Sequence, residues 1–215
     1  QGDQNVARSL TSNLGMLLVE RGVEESVSVL TKLVDEYEAL HMAMSAAAAR
    51  ANLSLYYLDR NEREAFERLN HQASVVFKKA SHSGHLAALK LNSAYFELQA
   101  GDVAAAWSDL WSAGESFPIE FEQGLDLEGA VLHAWLAFLR GERATVQEGL
   151  KQLWQEAELD ESLLGPMVVQ LVKLMTAIVG EDDQAAAAII SKNEAPATVT
   201  FRELWRVMVD HARKA

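Results

Sequence analysis

Three asparagines, Asn13, Asn52 and Asn92, stand 39 and 40 residues apart in a chain of 215 residues. A side-chain amide both donates and accepts hydrogen bonds, so such a series can pair with the main chain of an extended segment without reading its sequence. Arg50 and Lys90 each precede one of these asparagines by two residues and could add attraction for a carboxylate. A second set is aromatic. Trp107 and Trp111 lie one helical turn apart, and His133 and Trp135 follow in the next apolar stretch. Together they could line a pocket for an apolar ligand, or simply pack one hairpin on the next. His82 and His85 have no third ligand at a defined spacing and read as part of a linker rather than a metal site. Glu120, Glu122, Asp126 and Glu128 form an acidic run whose spacing does not match a calcium loop.

The familiar catalytic patterns are missing. There is no His-Glu-x-x-His, no Gly-x-x-x-x-Gly-Lys phosphate cradle and no Gly-x-Ser-x-Gly elbow. The chain has no cysteine, which removes thiol catalysis, disulfides and cysteine-ligated metals. The expectation is a protein that is not an enzyme and carries no cofactor and no metal.

The elements that must position these residues repeat along the chain. Gly22, Asn61, Gly101, Gly141 and Gly180 close five apolar helical patterns at spacings of 39, 40, 40 and 39 residues. Glycine and asparagine suit the left-handed conformation that ends a helix. An acid follows each turn at once or one residue later (Glu24, Glu62, Asp102, Glu142, Glu181), where the positive end of the next helix favours it. Nine residues before the turns stand Asn13, Asn52, Asn92, Leu132 and Leu171. Three and four residues after these come pairs of large apolar residues: Met16/Leu17, Leu55/Tyr56, Tyr95/Phe96, Trp135/Leu136 and Leu174/Met175. Two residues after them the side chain is small in four repeats (Gly15, Ser54, Ala94, Ala134), which lets neighbouring helices approach; Lys173 breaks the pattern.

The third unit resembles a tetratricopeptide repeat, with Ala94, Gly101-Asp102, Ala106, Ala113 and Pro118 at that family's small, turn and stop positions. Asn13-Leu14-Gly15 resembles its Asn-Leu-Gly signature, and Asn52-Leu53-Ser54 echoes it. The period is longer than the family's usual 34 residues. Units four and five lack the asparagine and the alanine pattern. The resemblance implies an all-α fold: a right-handed superhelix of five helix-turn-helix repeats, approximately 5–40, 42–80, 85–118, 127–158 and 166–192. A capping helix over 201–213 would complete a single domain spanning 1–215. It also implies that the first helices line a concave groove, with the three amides facing a bound segment. Extended repeats of this kind resemble the sensor domains of bacterial transcription activators and signalling proteins.

Composition agrees. Apolar residues make up 49% of the chain, enough for a sizeable core, and only 3 prolines interrupt it. The net charge is −12, which argues against a nucleic-acid or anionic-membrane grip by the whole surface. No apolar run reaches the ~18 residues of a membrane span. No signal peptide opens the chain, and its start without methionine reads as a piece of a longer protein. The charge is uneven: residues 41–92 hold seven bases against four acids, and 114–163 eleven acids against three bases. Phe117 to Asp126 is the longest irregular stretch and the expected place of any discontinuity.

The leading expectation is a cytoplasmic protein- or peptide-binding domain, the sensing or scaffolding part of a bacterial regulator, contacting partners through Asn13, Asn52, Asn92, Arg50 and Lys90. The rival is a small-molecule sensor with its pocket at Trp107, Trp111, His133 and Trp135. A homodimer through apolar end faces is a further expectation.

Overall fold

The computed structural model describes residues 2–116, 125–159, 164–196 and 198–214. The described residues form eleven α-helices and no strand. They are α1 (Gly2–Glu20), α2 (Glu25–Ala39), α3 (Ala43–Asp59), α4 (Arg63–Lys79), α5 (Ser83–Gln99), α6 (Val103–Ser116), α7 (Leu125–Leu139), α8 (Arg143–Leu159), α9 (Leu164–Val179), α10 (Asp183–Lys192) and α11 (Val199–Ala212). The protein is all-α, as its helical periodicity predicts. Pro118, Glu120, Glu122 and most of the expected discontinuity lie outside the described residues, as does much of the connector expected at 159–165.

The turns explain why the helices end where they do. A residue with positive φ follows α1 (Gly22, 64°), α2 (His41, 56°), α3 (Asn61, 56°), α4 (Ser81, 54°), α5 (Gly101, 82°), α7 (Gly141, 88°) and α9 (Glu181, 57°). At each, the next amide donates five residues back into the helix. The pairs are Val23 N to Leu18 O, Met42 to Tyr37, Glu62 to Tyr57, His82 to Phe77, Asp102 to Glu97, Glu142 to Ala137 and Asp182 to Ala177. These are Schellman closures, which satisfy carbonyls the helix end leaves unpaired. The left-handed residue recurs every 19 or 20 positions from 22 to 101, and then at 141 and 181. The midpoints of the last two intervals, 121 and 161, lie outside the described residues. The structural period is thus one helix and one turn, half the period visible in the sequence.

Two details differ from expectation. The turn after α9 places the left-handed conformation at Glu181 rather than Gly180. A side chain at Gly180 would instead meet the Thr176 carbonyl oxygen at 3.1 Å. The acids after the turns also differ in use. Asp102 and Asp182 accept from Ala105 N and Ala185 N, both at 2.9 Å, whereas Glu24 and Glu62 make no side-chain cap. Aspartate is among the preferred capping residues, and glutamate is not.

His41, Ser81 and Glu181 hold a conformation that costs an L-residue roughly 1–2 kcal/mol. Ser81 is exposed, so Ser81→Gly removes strain without removing packing. Glycine's extra freedom in the unfolded chain takes back about 0.4–1 kcal/mol. A net gain of about 0.5–1 kcal/mol is expected, read as a rise of a few degrees in Tm. An unchanged or lower Tm would mean that the turn relaxes in solution.

The chain divides into two compact units, Gln1–Asn92 and Ser93–Ala215. In the first, α3 packs against α1, α2 and α4. Gly15 lets α1 lie on Leu30 of α2, where a Cβ would stand 2.5 Å from Leu30 Cδ2. Ala47, Ala73, Phe77 and Leu89 join α3, α4 and the first half of α5 in one apolar cluster. Buried Asn70 is held within it: Nδ2 donates to Leu89 O at 3.3 Å and Oδ1 accepts from Ser54 Oγ at 3.4 Å. The small-residue position is buried at Gly15, Ser54, Ala94 and Ala134, and the exception, Lys173, is exposed. Leu17 of the first apolar pair and Leu14 of the Asn-Leu-Gly signature are 59% and 50% exposed, because the helices α1 packs on, α2 and α3, cover its opposite side.

In the second unit α7 packs on α6, α8 and α9, and α9 on α10 and α11. Its core holds Tyr95, Phe96, Leu132, Trp135, Leu136, Leu171, Leu174, Met175, Phe201, Leu204 and Met208, all buried. The helix expected to cap the last hairpin, α11, does lie on α9 and α10. It also reaches back to α5 and α7. Gln99 Nε2 of α5 donates to Glu203 Oε2 of α11 at 2.7 Å, and the His211 ring lies 5.4 Å from Trp135 and 5.5 Å from Phe138 of α7.

Candidate functional site

The asparagine series belongs to the first unit. Asn13 is exposed on α1, while Asn52 on α3 and Asn92 on α5 are half-buried. Helices α1 and α3 are neighbours, and α3 meets the first half of α5 through the Ala47–Leu89 cluster. Successive amides therefore ride on successive first helices. Among the described residues the Asn52 and Asn92 side chains have no hydrogen-bond partner within the chain. A half-buried amide with unspent donors and acceptors is a contact waiting for a ligand or for water. The two bases behave differently. Arg50 is ion-paired to Glu38 of α2, with only 16% of its side chain exposed, so its guanidinium already holds a carboxylate. Lys90 is exposed but also engaged. Neither cation stands ready for a ligand carboxylate in the way their sequence positions suggest.

His82 and His85 are brought together by the turn into α5. Their Nδ1 atoms lie 2.9 Å apart, and the His85 ring stacks 4.4 Å from buried Phe77. Burial, and then the neighbouring His82, lowers the pKa of His85. A hydrogen bond from one ring nitrogen to the other makes the pair a brace of the turn. No group of three or more metal-ligating side chains occurs among the described residues.

The four aromatic-site residues do not assemble into one pocket. Trp107 of α6 meets the His133 ring of α7 at 5.2 Å and the guanidinium of Arg140, just past the end of α7, at 4.1 Å. Trp111 is 60% exposed. Trp135 is fully buried and turns instead to Phe138 and His211. The reason lies in helix geometry: positions 133 and 135 are about 200° apart around α7, so they serve opposite sides. A surface groove of about 660 Å³ does exist in the second unit, between α8 and α9 at Leu150, Trp154 and Val179. None of the four residues lines it.

The polar groups that sequence reasoning missed cluster where α11 meets α5 and α7. Beside the Gln99–Glu203 bond, Glu203 is ion-paired to Arg206 one turn on. Glu128 of α7 is hydrogen-bonded to Thr200, and burial raises its carboxyl pKa against that bond. The Tyr95 hydroxyl donates to the Glu128 carbonyl at 3.4 Å, and burial raises its pKa well above the ordinary value. Glu128, the last residue of the acidic run, is thus engaged with α11. The overlooked signal was an acid, Glu203, set within the dense apolar run of 199–209.

The described residues thus define an all-helical protein whose first helices carry both the free amides of the first unit and the face covered by α11 in the second. No protein-family model, curated protein or solved structure matches this chain. No helix among the described residues is long and apolar enough to cross a membrane.

Proposed function

We propose that this chain is a helical-repeat binding domain that takes up a segment of a protein or peptide along the first-helix face of its first unit. Asn13, Asn52 and Asn92 would contact the segment's main chain. The reading rests on one observation above all: at matching positions on successive first helices, the Asn52 and Asn92 amides are half-accessible and uncommitted among the described residues. An extended segment offers carbonyls and amides that such side chains can pair with in series. The resemblance of the hairpins to tetratricopeptide repeats supports a role in recognition, and in this reading the domain is the sensing or scaffolding part of a bacterial regulator. No cofactor, nucleic acid or membrane enters this reading. Arg50 and Lys90 are assigned supporting roles at most, since both are already engaged.

The test is capture from source-cell lysate by the wild type and by the Asn13/Asn52/Asn92→Ala triple variant, with helicity matched by circular dichroism. A protein or peptide retained by the wild type and lost by the variant supports the amide face. With the captured segment as titrant, Asn52→Ala is expected to leave Tm unchanged and to weaken Kd by about 2- to 10-fold, the worth of one hydrogen bond. Equal capture by both proteins would overturn the reading. Unfolding of Asn52→Ala would make that residue structural.

A further inference from the structure

The outer face of α1 carries a second inference, independent of the amide series. The large apolar side chains exposed among the described residues are Leu10, Leu14, Leu17, Leu40, Val75 and Trp111. Leu40, Val75 and Trp111 lie singly on different parts of the fold, as surface apolar residues commonly do. Leu10, Leu14 and Leu17 lie together on one helix and are 64%, 50% and 59% exposed. At about 100° per residue they share an arc of about 60°. What the same face does on another first helix is visible at α3. The helices α1 and α2 pack on it, and the corresponding residues, 39 positions on, are Ala49, Leu53 and Tyr56, all buried. The stripe on α1 thus has the register of a helix-packing face, and among the described residues it is left uncovered.

Spacing and charge point to one occupant. The steps from Leu10 to Leu14 to Leu17, four residues and then three, are the alternation of a two-helix seam. Seven residues before Leu10, position 3 is an aspartate; seven after Leu14 stands Arg21, which is exposed. From residue 4 to residue 19 the one charged residue is Arg8. It falls on the opposite side of the helix, where it is half-buried and engaged within the chain. The stripe is therefore apolar in the middle, with an acid at one end and a base at the other. Turned end for end it complements itself, which is what a two-fold interface requires.

We propose that two copies of this chain associate through this face, α1 against α1, antiparallel about a two-fold axis. Leu10 packs against Leu14 of the partner subunit, as the two kinds of seam position do in antiparallel helix pairs. Position 3 comes opposite Arg21 of the partner subunit at each end of the seam. A parallel pair would set aspartate against aspartate and arginine against arginine, so charge selects the antiparallel arrangement.

The test is sedimentation equilibrium of the full chain. One helix pair is smaller than a standard protein interface, so a dimer with a Kd of about 1–100 μM is expected. Leu14→Glu puts a charge into the seam and is expected to raise that Kd at least about tenfold. Leu14 is half-exposed, so the helicity of the subunit should be unchanged. Arg21→Glu sets two acids together at each end of the seam and is expected to raise Kd about 3- to 10-fold. Adding Asp3→Lys to Arg21→Glu is expected to restore the wild-type value. A chain that stays monomeric up to about 500 μM overturns the proposal and leaves the stripe to another occupant. A dimer untouched by Leu14→Glu overturns it as well, because association then uses another face. A double charge variant no tighter than Arg21→Glu overturns the antiparallel arrangement. Should Leu14→Glu lose helicity, Leu10→Glu, at the more exposed position, takes its place.

Discussion

Trp135→Ala is expected to lower the stability of the second unit by about 3–5 kcal/mol, the usual cost of emptying a large aromatic site. Trp135 is fully buried, and its ring packs with Phe138 at 5.3 Å and His211 at 5.4 Å, two rings that also touch each other at 5.5 Å. Its removal leaves a cavity that three packed helices cannot close by moving one side chain. Trp135→Phe should behave very differently. It keeps most of the ring contact and deletes Nε1, a buried donor without a partner whose desolvation costs about 1–3 kcal/mol. The smaller cavity and the relieved donor should nearly cancel, leaving a change within about 1 kcal/mol. Urea unfolding followed by circular dichroism measures both variants. If Trp135→Phe proves as damaging as Trp135→Ala, the indole nitrogen is satisfied in solution.

Leu30→Ala is expected to cost the first unit about 2–5 kcal/mol. Leu30 is fully buried and lies against the bare backbone of Gly15. The same contact predicts a second, coupled result. Gly15→Ala would place its Cβ 2.5 Å from Leu30 Cδ2 and 2.9 Å from Cγ. The side chain has no free space to retreat into, so overpacking should cost about 1–3 kcal/mol despite alanine's better helix propensity. With Leu30→Ala already made, that clash disappears. The double variant should then be more stable than the sum of the single losses by about 1 kcal/mol or more. Strict additivity of the two changes would mean that α1 shifts on α2 at no cost, and that Gly15 is not what sets their approach.

Much of the fold was readable because the signals were local. Gly22, Asn61, Gly101 and Gly141 each occupy a left-handed turn, since glycine and asparagine reach that conformation at low cost. The turns between successive hairpins were not readable in the same way. His41 and Ser81 adopt the same conformation against their own preference, so the half-period is present in the backbone without a matching residue type. The Schellman hydrogen bonds and the packing around them impose what the side chain does not favour. Gly180 misled for the converse reason. A glycine marks a permissible left-handed position, and the bond from Asp182 N to Ala177 O places that position one residue later.

The candidate site divides along the same line. Residue type and spacing alone determined an all-α chain of paired helices, the register of Asn13, Asn52 and Asn92 on successive first helices, and the buried small-residue position at Gly15, Ser54, Ala94 and Ala134. Each follows from the 3.6-residue period and from one side chain's intrinsic chemistry. Only the tertiary structure decided which charges were already spent and which aromatic groups meet. Arg50 finds Glu38 across twelve residues, Trp107 and Trp135 part company on opposite sides of α7, and Glu203 finds Gln99 across 104. These pairings depend on how helices far apart in sequence are brought together, and a periodic pattern gives the facing direction of a helix but not the identity of what it faces.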